Sequence, residues 1–322
     1  MVDGQRGKHA YKMKEEAKMY NLGIIGMSPG NGHPYSWAAI FNGYDKKKMA
    51  KCPFSTIPEY LGEQDPETMC IEDAQVTHIW TQDKVISRDI AEASLIENVV
   101  ENKTDMIGKV DAVILARDDG ENHLSMAKPF IEEDVPIFID KPLTDNAEDL
   151  VEFVRYYEKG KSIMSCSSMR YADSILKLKG KLGRILTANA VTPKYWQTYG
   201  IHLIEGIYAV IGGGVKSVQN IGDDGKEIVH LRYADGKHVV LQTFKEIKSG
   251  IHFAFYGEDG SEIVTSTDSF SSFKNTLSAF VKMLDSGKPP FDWHETVEMA
   301  KIVIAGRLSL KEKGRVVNLS EI

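Results

Sequence analysis

The chain has 322 residues, room for two domains at about 150 residues each. Its composition, 42% hydrophobic and 26% charged, excludes wholesale disorder. Lys and Arg total 39 against 46 Asp and Glu, a formal net charge of −7 that excludes general nucleic-acid binding, which needs a basic surface.

Residues 1–20 read as a polar leader and a short helix. Lys8, Lys12, Lys14, Glu15, Glu16 and Lys18 leave no apolar core for a signal peptide. The most apolar stretch, Gly206 to Val215, is about half the length of a membrane span. Cys52, Cys70 and Cys166 form no CxxC pair. That spacing fits a reducing compartment and argues against a structural metal site. The expectation is a soluble cytoplasmic protein.

From residue 21 the pattern becomes strand, glycine-rich turn, helix. Asn21 to Gly26 is a short apolar run, Met27 to His33 a turn, and Ser36 to Phe41 a helix, which together open a βαβ unit. Residues 45–75 are polar, with prolines at 53, 58 and 66, and read as an insertion. Val76–Trp80 is the next strand and Ser87 to about Val100 a helix. Val110–Ala116 is a buried strand, Ser125–Glu133 a helix and Val135–Ile139 a strand. A helix over Asn146–Lys159 and a strand over Ser162–Ser167 complete the half. The alternation predicts a doubly wound parallel sheet over residues 21–167.

Past Arg184 the runs become short and alternating: Val215–Ile221, Glu227–Tyr233, His238–Phe244, His252–Tyr256 and Glu262–Thr265. Asp-Gly pairs at 224, 235 and 259 punctuate them, which is hairpin chemistry. Phe273, Leu277, Phe280, Val281 and Leu284 share one helical face, and a last helix spans about Glu295 to Lys313. Residues 168–322 therefore read as an α+β domain with a mostly antiparallel sheet and C-terminal helices.

Ligands of doubly wound sheets sit beyond the carboxyl ends of the strands, so the candidate residues follow each parallel strand. Gly26, Ser28, Gly30, Asn31, Gly32 and His33 form either a modified phosphate loop or a plain tight turn; the GxGxxG spacing is absent. Asp83 is either a ribose ligand or a helix cap. Arg117, Asp118 and His123 lie after the next strand; Arg117 could face a phosphate, and Asn122 with His123 could instead cap the following helix. Asp140, Lys141 and Pro142 follow the fifth strand. A partly desolvated Lys141 there could trade protons or polarise a hydroxyl, and an ordinary Lys-Pro loop is the alternative. His202 and Glu205 are three apart on one helical face: His202 suits a base, and Glu205 could orient the imidazole or hold a substrate hydroxyl; the alternatives are a salt-bridged helix end and a metal pair, for which no third ligand stands close in sequence. Trp196 and Tyr199 are either a sugar-stacking pair or core aromatics.

Taken in order, these segments resemble the Gfo/Idh/MocA family (glucose–fructose oxidoreductase, inositol dehydrogenase, rhizopine catabolism). They are the strand with its glycine turn, Asp111–Ala116 with Asn122-His123, Asp140-Lys141-Pro142-Leu143, Gly200-Ile201-His202-Leu203-Ile204-Glu205, Ser286–Pro290 and Gly314–Leu319. The resemblance spans roughly residues 20–320. It implies a Rossmann domain and a nicotinamide cofactor, NAD or NADP, with Asp83 favouring NAD because an acid repels a 2′-phosphate. It further implies an oxidoreductase acting on a secondary hydroxyl or keto carbon of a sugar, cyclitol or derivative, and a homo-oligomer. Lys141 inherits a catalytic role beside the nicotinamide and His202 an acid/base role, while Arg170 and Tyr171 match a segment that lines the substrate cleft. Four departures accompany it: Asp140 stands for Glu, Glu205 for Asp, Thr198 where an acid often precedes Gly-x-His, and the turn lacks its second glycine. Some members of the family are sugar or dinucleotide sensors without turnover, and others recycle their nicotinamide within one redox-neutral reaction.

Overall fold

The computed structural model describes residues 18–248 and 250–322. The leader expected over residues 1–20 lies almost wholly outside them. The first domain opens with β1 (Tyr20–Ile25) and α1 (His33–Asn42). The segment read as an insertion contains two short helices, α2 (Lys46–Met49) and α3 (Thr56–Gly62). Met49, Ile57, Leu61, Met69 and Ile71 from this segment are buried in the same core as α1, so it is packed structure rather than a loose loop.

Next come β2 (Ala74–Trp80), α4 (Lys84–Ala93), β3 (Asn98–Val99), β4 (Ala112–Leu115), α5 (His123–Glu132), β5 (Ile137–Ile139), α6 (Ala147–Glu158) and β6 (Ile163–Ser165). The helix expected over Ser87 to Val100 stops at Ala93, and Asn98–Val99 pairs with His78 and Ile79 as an edge strand. All six strands run parallel in the order β3-β2-β1-β4-β5-β6. The strand order therefore reverses between β1 and β4, and the crevice beyond their carboxyl ends is where such a sheet receives ligands.

The second domain begins with α7 (Asp173–Leu176) and β7 (Ile185–Pro193). A single π-helical turn, Trp196–Gly200, then leads into α8 (Ile201–Ile211). Five strands follow: β8 (Val215–Asn220), β9 (Lys226–Tyr233), β10 (His238–Phe244), β11 (Ile251–Gly257) and β12 (Gly260–Ser266). The chain closes with α9 (Ser269–Ser286), α10 (Trp293–Lys311) and β13 (Val317–Asn318). The sheet order is β12-β11-β7-β10-β9-β8-β13. It is antiparallel except at its centre, where β7 runs parallel to β10. β7 has no counterpart in the sequence reading. Apart from Ile185 at its start, its buried side chains Ala188, Ala190 and Thr192 are small, so its inner face carries little hydrophobic signal.

The last two helices tie the domains together. α9 buries Leu277, Phe280 and Met283 in the core that α1 shares with the parallel sheet. α10 places Trp293, Ala300 and Ile304 on the other face of that sheet, and Met299, Ile302, Val303 and Ala305 under the second sheet. The crevice between the domains is thus held from behind by one continuous helix.

Candidate functional site

The β1–α1 turn sets one wall of the crevice. A Cβ on Gly26 would lie 2.5 Å from Pro34 Cγ, and one on Gly32 would lie 2.5 Å from Ile57 Cδ1, so both positions require glycine for packing. Gly30 has φ +80° and open space where a side chain would point. The first turn of α1 is already occupied. The His33 amide donates to Asn31 Oδ1 at 2.7 Å, Pro34 has no N–H, and the Tyr35 and Ser36 amides donate to the Gly32 carbonyl. An anion here would be gripped by the loop rather than by the helix terminus.

Lys141 enters from the end of β5 through a cis Lys141–Pro142 peptide. Its side chain is buried, and Nζ donates to the Thr198 carbonyl at 3.2 Å and to Asp118 Oδ2 at 3.4 Å. Nζ also lies 5.1 Å from the centre of the Tyr199 ring. Burial opposes the charge on Asp118. Lys141 and the Ser28 hydroxyl, 2.6 Å away, outweigh it and hold that carboxyl well below the ordinary range. Asp140 faces the opposite way. Its Oδ1 accepts the Lys141 amide at 2.8 Å, and its Oδ2 accepts from Asn31 Nδ2 at 3.1 Å and lies 2.5 Å from His33 Nδ1.

His202 comes from the second domain, one residue into α8. The Tyr199 ring meets it edge-on at 4.9 Å, and the Ser167 hydroxyl lies 2.6 Å from its Nδ1. Burial first, and then the positive Lys141, push the His202 pKa well below the usual histidine value, so the ring is neutral. Glu205 does not touch His202. It accepts the Ser167 amide at 3.0 Å and Arg170 Nε at 2.6 Å, so it acts on His202 only through Ser167.

The crevice holds two joined cavities. One, of about 510 Å³, runs along Ser28–Gly30, Asp118–Glu121, Lys194 and Thr198. The other, of about 280 Å³, is lined by His33, Lys141, His202, Tyr199 and Phe273 among others. Gly30, Asp118 and Tyr199 line both.

Gly30, Asn31, Gly32, His33, Asp118, Lys141, Tyr199 and His202 therefore converge on one space, with Ser28 at its entrance and Asp140 behind it. Other candidates lie elsewhere, each for a physical reason. Trp196 is 1% exposed, donates Nε1 to the Val303 carbonyl and fills a slot between Gly200 and Gly306, so it is a core aromatic. His123 is fully buried and braces the Arg117 and Leu143 carbonyls. Arg117 spends its guanidinium on Asp119 and the Met27 carbonyl rather than on a phosphate. Asp83 caps α4 by accepting the Val85 amide and lines neither cavity. Arg170 is buried between Glu205 and Glu295 over the Phe291 ring, and Glu205 is its partner, so neither faces the cleft. Tyr171 packs against the first-domain core beside them. Ser167 and the Thr198 carbonyl are contacts that sequence reasoning missed. A serine two residues after β6 and a main-chain oxygen carry no motif of their own.

Residues 57–167 match the Gfo/Idh/MocA family model, described as an oxidoreductase family with an NAD-binding Rossmann fold. The match lies within the first domain. The matched region includes Asp118 and Lys141 but begins after the β1–α1 turn, the part that departs most from the Gfo/Idh/MocA pattern. No curated protein sequence matches the chain. Among solved structures it is similar to apo scyllo-inositol dehydrogenase from Lactobacillus casei, with TM-score 0.75, 14% identity, and coverage of 95% of this chain and 100% of that one. It is similar to myo-inositol 2-dehydrogenase from Lactobacillus plantarum, with TM-score 0.72, 15% identity, and 94% and 99% coverage. A third is an oxidoreductase from Agrobacterium radiobacter in complex with NAD+, L-tartaric acid and magnesium, with TM-score 0.73, 12% identity, and 94% and 99% coverage. These likenesses show that the chain shares the two-domain fold of those proteins.

A dinucleotide of the kind named in the family model's description would find space here. The larger cavity follows the turn that faces it with the open Gly30, and it leads directly to Lys141. No helix among the described residues is long and apolar enough to cross a membrane. No group of three or more His, Cys, Asp or Glu among them is placed to hold a metal.

Proposed function

We propose that the chain is an NAD(P)-dependent oxidoreductase acting between a secondary hydroxyl and a keto carbon of a sugar, a cyclitol or a derivative. The observation that carries this reading is the meeting of Lys141 and His202, from different domains, in one cavity that continues along the β1–α1 turn. The inositol dehydrogenases and the NAD+-bound oxidoreductase among its structural neighbours support it. Ser28, Gly30 and Asn31 would hold the dinucleotide, with Asp118 beside it, and the bound nicotinamide supplies the hydride acceptor or donor.

The chain's own contribution is electrostatic and geometric. Lys141, held by the Thr198 carbonyl and Asp118, aims a buried ammonium at the reacting oxygen and stabilises the alkoxide as charge develops there. His202 borders the same oxygen with a neutral imidazole. Tyr199 and Phe273 wall the pocket. A second copy of the chain would cover the outer face of the second sheet, where Tyr256 and Ile263 are 39% and 73% exposed.

A sensor without turnover is the second reading. It is favoured by the occupied first turn of α1 and by the ionised Asp118 carboxylate set against the turn. The deciding experiment is a titration of nucleotide-stripped protein with NADH and NADPH, followed by nicotinamide fluorescence, and then a panel of sugars and cyclitols. Saturable micromolar binding with turnover supports the oxidoreductase. Binding without turnover across the panel selects the sensor, and no binding of either nucleotide defeats the oxidoreductase reading.

A further inference from the structure

Two imidazoles line the 280 Å³ cavity, and their partners hold them in opposite tautomers. His33 Nδ1 lies 2.5 Å from Asp140 Oδ2. A carboxylate can only accept, so Nδ1 carries the proton. Asp140 also accepts from Asn31 and from the Lys141 amide. The ring is clamped by Trp37, stacked at 4.3 Å, and by the edge of Phe273 at 5.1 Å. Nε2 has no hydrogen-bond partner among the described residues, and in the neutral ring it presents a lone pair.

His202 is arranged the other way. Ser167 is fully buried, and its Oγ accepts the Met169 amide at 3.1 Å. Among the described residues the Ser167 hydroxyl proton has one acceptor, His202 Nδ1 at 2.6 Å. The reverse arrangement, with Nδ1 donating, would leave that proton orphaned in a dry interior. Nδ1 is therefore bare, and Nε2 carries the N–H.

We propose that His33 is the general base of this cleft and that His202 is a neutral hydrogen-bond donor to the reacting oxygen. The substrate O–H bond breaks, its proton passes to His33 Nε2, and the electron pair stays on oxygen. The alkoxide is then held by the Lys141 ammonium and the His202 Nε2–H. Asp140 and Ser167 are positioning residues, since each acts by fixing which ring nitrogen is protonated. The low pKa of His202, set by burial and by Lys141, agrees with a ring that stays neutral. The choice of a hydroxyl as substrate rests on the oxidoreductase reading; the tautomers do not.

The test uses the full chain with ¹⁵N-labelled histidine and no ligand. Two-bond proton–nitrogen spectra would be assigned with His33→Gln and His202→Gln. The expected pattern is Nδ1-protonated for His33 and Nε2-protonated for His202. Ser167→Ala should mix the His202 tautomers and Ser167→Thr restore them. A His202 bare at Nε2, or both rings in one tautomer, overturns the proposal, and the native protein's spectrum decides this whether or not a variant folds. On a substrate found in the panel, His33→Gln should lower kcat by about 100-fold or more while NADH binding is kept. Retention of most of kcat also overturns it. Failure to bind either nucleotide would sink the oxidoreductase reading and leave the tautomer result standing.

Discussion

Replacing Arg170 by Met tests the buried charge network behind His202. The Arg170 and Glu205 side chains are 10% and 1% exposed and meet at 2.6 Å. Without the guanidinium, Glu205 keeps only the Ser167 amide as a donor. Stranding one buried charge costs about 3–5 kcal/mol. Burial already raises the Glu205 pKa above its ordinary 4.5, with Arg170 and the Ser167 amide pulling against it, so loss of Arg170 raises it further. In the window between the unfolded and folded pKa values the folded chain holds a proton that the unfolded chain releases, so stability falls as pH rises through it. At about 1.4 kcal/mol per pKa unit, a penalty of this size widens that window upward by two units or more. The deficit of Arg170→Met against the native chain should therefore be largest near about pH 8 and shrink steadily toward about pH 5. Urea unfolding followed by tryptophan fluorescence at several pH values reads this directly. Adding Glu205→Gln should recover most of the loss, because it removes the stranded charge. A deficit below about 1 kcal/mol at the alkaline end, or one that does not change with pH, would refute the reasoning.

Gly306→Ala places a Cβ 2.4 Å from Trp196 Nε1 and should cost about 1–3 kcal/mol in calorimetry, with an unshifted melting temperature counting against the Trp196 slot. Lys141→Ala should lower kcat by roughly 100-fold or more with circular dichroism unchanged, and substantial residual turnover would remove Lys141 from the mechanism. Asp83→Asn keeps a capping side chain and should leave stability intact, whereas Asp83→Ala should cost about 1 kcal/mol. If Asp83→Asn also changes the preference between NADH and NADPH, the aspartate contributes its charge to the nucleotide site as well as its cap to α4.

Much of the architecture was legible because period and punctuation are local. The βαβ rhythm of residues 21–167 follows from continuous apolar runs alternating with amphipathic segments, and the Asp-Gly pairs mark the hairpins of the second sheet. β7 escaped because alternating Ala and Thr bury little hydrophobic surface per residue. The end of α4 was overrun because two residues of edge strand carry no period.

The site divides along the same line. Lys141, the β1–α1 turn and His202 could be placed from the chain alone, since each follows a strand or opens a helix at the ligand edge of its domain. What those residues do was decided by partners on other elements, from 23 to 125 residues away in sequence, or by a main-chain atom. Asp140 meets His33 across the parallel sheet, the Thr198 carbonyl and Asp118 fix the Lys141 ammonium, and Arg170 is consumed by Glu205 and Glu295. Trp196 looked equally suited to a sugar or to a core until Gly200 and Gly306 closed around it. The sequence by itself determined which elements form and which polar residues stand at their ends, because those follow from backbone propensity and hydrophobic period. Only the tertiary structure decided which of those residues face the cleft, because burial and pairing depend on what the other domain and the helix α10 bring against them.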